Sequence, residues 1–199
     1  MKEREYRIVS NWVLEGNSDH IFDMISSTED ISSWWPSVFL RSELVFPGDE
    51  NLTGKVVRLH SKGWLPYTFQ LMVRIDECQL PGRIIARTWG DLVGLVVISG
   101  RELGNDLVEV EIDWRVRIKT WVAFFAPILV ANHRYAMRCG EKSFNAELER
   151  KSLEDRTEKK KIRVSIEVPE PSWPHNVKWV MDRYVWREMG DAPVEEIHL

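Results

Sequence analysis

The sequence predicts an α+β domain in which a twisted antiparallel sheet of about seven strands wraps around one long helix near the C-terminal end. Three observations lead there. Residues 38–119 alternate apolar and polar side chains with a period of two, broken by turn chemistry. Only one long stretch, 127–150, repeats at the helical period. Two short helix signals stand between the first strand and the rest. The strands follow one another too closely for the crossover helices that a parallel sheet requires.

Each element has its own justification. "EYRIVSNWVL" (5–14) reads as the first strand. Asn17 or Ser18 can cap the helix "DHIFDMIS", which carries Ile21, Phe22 and Ile25 on one side. Thr28 can cap a second turn, "EDISSWW", which Pro36 stops. Strands are then expected at 38–46, 55–62, 67–77, 83–89, 92–99 and 107–119. The turns between them are "PGDENLTG", "KGWLP", "LPG", "WGD" and "GND". The last strand alternates most cleanly. Val108, Val110, Ile112, Trp114, Val116 and Ile118 take one face, and Glu109, Glu111, Asp113, Arg115 and Arg117 take the wet one. Strand 67–77 turns Tyr67, Phe69, Leu71, Val73 and Ile75 inward. Strand 55–62 turns Val57 and Leu59 inward, with Arg58, His60 and Lys62 outward. The apolar face of such a sheet must be covered, and the helix 127–150 is the element long enough to cover it. This is a helix-grip arrangement.

That helix is unusual. Its apolar stripe reads Leu129, His133, Met137, Gly140, Phe144 and Leu148, with Arg134, Arg138, Lys142 and Glu149 opposite. A helix that only plugs a core would place Leu or Ile at 133 and 140. Glycine at a helix interior costs about 1 kcal/mol relative to alanine.

Bulk composition excludes several classes. The chain has 199 residues and a formal net charge of -4, so it offers no broad cationic footprint for nucleic acid. Cys78 and Cys139 have neither the number nor the spacing of a disulfide framework or zinc site. They fit small apolar residues in a reducing compartment. "MKEREYRIVS" lacks an apolar signal core, and "WVAFFAPILVA" (121–131) is too short to span a bilayer. A cytoplasmic protein without an integral membrane span is expected. There are 10 tryptophans, more than a chain of this size normally carries.

Five marks then stand in order: "WWP" at 34–36, "LPY" at 65–67, "GDLVG" at 90–94, "DWRVRIKTW" at 113–121 and "NHRYAMRCGEKSF" at 132–144. With the strand and helix order they span residues 5–150, about three quarters of the chain. In these the sequence resembles the START-like, or SRPBCC, superfamily, in the branch labelled polyketide cyclase/dehydrase and lipid transport. The resemblance implies a deep apolar cavity between the long helix and the sheet. It also implies binding of lipids, polyketides, quinones, hormones or other hydrophobic molecules, with cyclase activity in some members. Residues 151–199 depart from the family's usual end. They form a charged linker followed by a strand "IRVSIEV" and a helix over 175–190 with two apolar sides, which wants burial on its own domain or in a homodimer.

The first functional reading is a carrier or sensor of a hydrophobic small molecule. The expected contacts are Trp35, Leu59, Tyr67, Phe69, Leu71, Trp114, Val116, His133, Met137, Gly140 and Phe144. Gly140 would let a ligand or the sheet approach the backbone, and Met137 is a polarizable wall. The second reading is an aromatase/cyclase or dehydratase-like enzyme, with His133 as the acid–base group and Tyr67 as a hydrogen-bond donor. The third is an interaction module whose cavity tryptophans have filled. Each residue has a plainer role as well. A histidine on an apolar face is commonly satisfied by a carbonyl or carboxylate, and Gly140 can be a simple helix–sheet contact. Asn132 suits backbone bonding near the helix start, Asp91 suits a turn, and Asp113 and Glu141 suit surface charges. No nucleophile elbow, metal-ligand spacing or phosphate loop is present in the sequence, so neither cofactor nor metal is expected.

Overall fold

The computed structural model describes residues 3–64, 68–119 and 126–157. Strand β1 (Glu3–Glu15) leads into helix α1 (Ser18–Ser26), a 3-10 turn (Thr28–Asp30) and helix α2 (Ile31–Trp34). Six strands follow: β2 (Phe39–Phe46), β3 (Val56–Ser61), β4 (Phe69–Gln79), β5 (Arg83–Gly90), β6 (Val93–Gly104) and β7 (Leu107–Lys119). Helix α3 (Ala126–Thr157) comes last among the described elements.

The seven strands form one sheet in the order β1-β7-β6-β5-β4-β3-β2, every pair antiparallel. From β2 to β7 each strand pairs with the next in sequence, as short turns dictate. β1 instead pairs with β7 along its whole length, from Glu3 opposite Lys119 to Glu15 opposite Leu107. The first and second strands therefore lie at opposite edges of the sheet. The chain crosses between those edges through α1 and α2. Of the two candidate caps, Asn17 and Ser18, Asn17 caps α1 by accepting the Asp19 amide at 2.7 Å.

One face of the sheet holds the core. Trp12 and Leu14 from β1, Val57 from β3, Ile75 from β4, Ile84 from β5, and Val108 and Val110 from β7 are all buried. Ile21 and Phe22 of α1 close over this core, as their helical spacing predicts.

Helix α3 is fastened to the sheet by polar side chains. Glu141 Oε1 accepts the Val13 amide at 3.0 Å, and Asn145 Oδ1 accepts the Glu15 amide at 3.1 Å. Asn145 Nδ2 donates to the Val13 carbonyl at 3.2 Å. These bonds satisfy backbone groups of β1 that an edge strand would otherwise leave open. Glu141 is thus not the plain surface charge its helical position predicts.

Other differences are local. β6 runs on to Gly104 instead of stopping near 99, and α3 continues to Thr157 through the charge-dense stretch. His60 and Lys62 are buried, although alternation along β3 places them on the wet face. Asp113 is buried too, held by Arg7 at 3.0 Å and Arg115 at 3.5 Å. Met72, Ile85, Trp89 and Leu95 alternate away from α3, yet they are buried as well. Period-two alternation assigns a residue to a face; it does not say how wet that face is. Tyr67 and the strand and helix expected beyond 158, with the homodimer drawn from them, lie outside the described residues.

Candidate functional site

A cavity of about 320 Å³ lies between α3 and the inner face of the sheet. Its wall is built by alternate positions of the strands, because every second side chain points the same way. β1 contributes Tyr6, Ile8 and Trp12; β4 contributes Phe69, Leu71, Val73 and Ile75; β7 contributes Ile112, Trp114 and Val116. Helix α3 roofs it with Leu129, Val130, Asn132, His133, Ala136 and Met137, two turns of one helix face. The few polar lining residues are Thr28, Ser61, Lys62, Thr88, Asn132 and His133. An apolar chamber with a small number of polar groups is the usual form of a small-molecule site.

The tryptophans do not fill this space. Three of them form one end wall. Trp12 meets Trp35 edge-on at 5.3 Å, and Trp34 stacks on Trp35 at 5.6 Å. Phe144 packs behind them, 5.0 Å from Trp34 and 6.0 Å from Trp12, with no exposed surface. A Cβ at Gly140 would stand 2.4 Å from Trp35 Cζ2 and 2.7 Å from Trp12 Cζ2. The roof stripe is therefore divided. Its first half, through Met137, faces open space, and its second half, Gly140 and Phe144, faces packed indoles.

Of the residues expected at the site, Trp35, Leu59, Phe69, Leu71, Trp114, Val116, His133 and Met137 line the cavity together. Gly140 and Phe144 do not line it, which corrects their expected place. Both share the helical stripe of His133, but the end wall stands between them and the chamber. The glycine serves the close approach of α3 to two indoles. Lys62, Ser61 and Thr88 were not expected there. Ser61 keeps the parity of Val57 and Leu59, and Thr88 that of Ile84 and Ala86, so alternation does turn both inward; Lys62, just past the end of β3, departs from it.

His133 carries the chamber's imidazole. Its Nε2 lies 3.5 Å from Ser10 Oγ, and its ring is tilted over Trp114 at 5.5 Å between centroids. Burial pushes its pKa down to about 4, because a dry wall disfavours the imidazolium. Beside it, Asn132 Oδ1 accepts the Trp64 amide at 2.8 Å, the backbone role its position predicts. This bond ties the β3–β4 loop to α3. Asp91 clamps the neighbouring turn by accepting the Gln70 amide at 2.8 Å. Among the described residues no His, Cys, Asp and Glu side chains group as a metal site would need, and no helix is long and apolar enough to cross a membrane.

No protein-family model matches the chain, and no curated protein is significantly similar to it in sequence. Solved structures are similar to it in fold. A START superfamily protein from Mycobacterium smegmatis superposes with a TM-score of 0.61 at 14% identity, covering 72% of this chain and 97% of that one. An aromatase/cyclase from Streptomyces sp. R1128 does so with a TM-score of 0.60 at 13% identity, covering 75% and 96%. A norcoclaurine synthase point mutant from Thalictrum flavum, in complex with a transition-state analogue, gives 0.56 at 13% identity, covering 79% and 99%. In strand order, in the pair of short helices after the first strand and in the long helix over the sheet, the chain has the START-like, SRPBCC-type helix-grip fold.

Proposed function

We propose that the protein binds a hydrophobic small molecule in the chamber under α3. The observation that carries this reading is unfilled space of about 320 Å³ with an almost wholly apolar wall. Where an apolar wall of this kind stands unfilled, its lining lacks partner atoms on one side. A guest restores those contacts. Met137, Trp114, Phe69 and Leu71 supply the contact surface, and Trp35 the end wall. The fold neighbours, an aromatase/cyclase among them, are compatible with such a guest but do not name it. Native mass spectrometry of the purified chain after incubation with a panel of lipids and aromatic polyketides tests the reading. A retained one-to-one ligand is expected, and failure to retain any compound of the panel counts against it.

A second reading is favoured by one observation, the dry imidazole of His133. With a pKa of about 4, roughly one ring in a thousand is protonated at pH 7. The group is then a proton acceptor and not an acid. If the protein is a cyclase or dehydratase, His133 takes a proton from a bound substrate and the chamber excludes water. His133→Ala should abolish turnover while leaving the fold intact; turnover that survives the change removes His133 from the chemistry.

A further inference from the structure

Among the described residues two lysines are buried, and their surroundings differ. Lys55 is fully provided for: its Nζ donates to the Ser26 carbonyl at 2.9 Å and pairs with Glu29 at 2.5 Å. Lys62 is only 2% exposed and lines the cavity. Its amide donates to the Val38 carbonyl at 2.7 Å, which anchors the residue just past the end of β3 against the start of β2. The next residue, Gly63, presses on Asn132, where a Cβ would come within 2.1 Å of Oδ1. Lys62 thus shares the cavity wall with Ser61, Asn132 and His133.

Among the described residues the wall contains no aspartate or glutamate. Burial pulls the Lys62 ammonium below its ordinary range, and no carboxylate among the described residues opposes that pull. A buried cation without a counter-charge is unfavourable, and a partner carboxylate removes most of the penalty. His133 is neutral near pH 7 and adds no second positive charge. An incoming anion therefore meets one cation, several neutral polar groups and no repelling charge.

We propose that the ligand is an amphipathic acid, with an apolar body in the chamber and a carboxylate on Lys62. This rests on the binding reading above and names the class of guest. The volume sits at the lower end of the range for small-molecule pockets, about 300–1,000 Å³, so the body is a short chain or a small ring system. An ammonium–carboxylate hydrogen bond in a dry wall gives the acid an advantage over its neutral isostere.

The test is calorimetric titration of the full chain at pH 7 with two acid–alcohol pairs: decanoate against decan-1-ol, and 2-naphthoate against 2-naphthol. In at least one pair the acid should bind about tenfold tighter or better. Lys62→Met should bring the acid down to its alcohol, and Lys62→Arg should keep the preference. Alcohols that bind as tightly as their acids overturn the proposal while leaving an apolar site in place. An acid preference that persists in Lys62→Met overturns it as well. If no probe binds at all, the binding reading itself fails. Should Lys62→Met not fold, as judged by circular dichroism, the wild-type comparison within each pair still decides.

Discussion

The six-membered ring of Trp35 occupies the place a side chain at Gly140 would need: a Cβ there would meet Cζ2 at 2.4 Å and Cη2 at 2.6 Å. A helix and an indole have closed to contact, and neither neighbour is a flexible tip that can swing away. Trp35 is itself held by Trp34, Trp12 and Phe39. This contact seals one end of the chamber.

Gly140→Ala sets two opposed effects against each other. Helix propensity favours alanine by about 1 kcal/mol. Overpacking a filled core costs about 1–3 kcal/mol. With both Trp35 and Trp12 inside 3 Å, overpacking wins. Urea unfolding should show net destabilisation, and Gly140→Leu should be worse. A more stable alanine variant would mean that the end wall is loose.

Met137→Trp tests the other half of the roof. Met137 borders open volume, so the larger side chain enters the chamber instead of a packed wall. The stability change should stay below the ~1–3 kcal/mol of overpacking. Binding of any guest detected by native mass spectrometry should disappear. Wild-type retention of that guest by the variant would place the site elsewhere.

His133 makes stability depend on pH in a defined direction. Its folded pKa of about 4 lies below the unfolded value of 6.5, so the unfolded chain binds more protons between those two values. The folded state is therefore favoured above pH 6.5 and loses that advantage as pH falls towards 4. The loss is up to about 3 kcal/mol. Denaturation midpoints of the wild type and His133→Leu, measured from pH 7 to pH 4.5, should diverge on acidification, with the wild type falling further. Parallel curves would show that the ring is wet.

Asn145 supplies both an acceptor and a donor to the edge of β1. Asn145→Ala removes both bonds, each worth about 0.5–1.5 kcal/mol net. A destabilisation of about 1–2 kcal/mol is expected, and the Glu15 amide should exchange its hydrogen faster. Unchanged exchange at Glu15 would show that water serves that edge equally well.

Much of the architecture was readable in the chain before any coordinates. The alternation through Val108, Val110, Ile112, Trp114 and Val116 assigned β7 its inner face, and the same residues face the core or chamber. Asn17 marked the start of α1, and the single long helical period marked α3. These signals are local: a side chain's face follows from a period of two or of 3.6, whatever lies opposite.

The site was readable only in part. His133 and Met137 lie on the same stripe as Gly140 and Phe144, and nothing along the helix separates the two pairs. What separates them is Trp12 from β1, Trp34 at the end of α2 and Trp35 just after it, which meet against α3. Lys62 reads as a solvated charge because its strand alternates, yet it is buried. Sequence by itself determined which residues turn inward, since backbone geometry repeats along each element. Only the tertiary structure decided which of those inward residues meet packed side chains and which meet open volume, because a void is a property of surfaces brought together from distant parts of the chain.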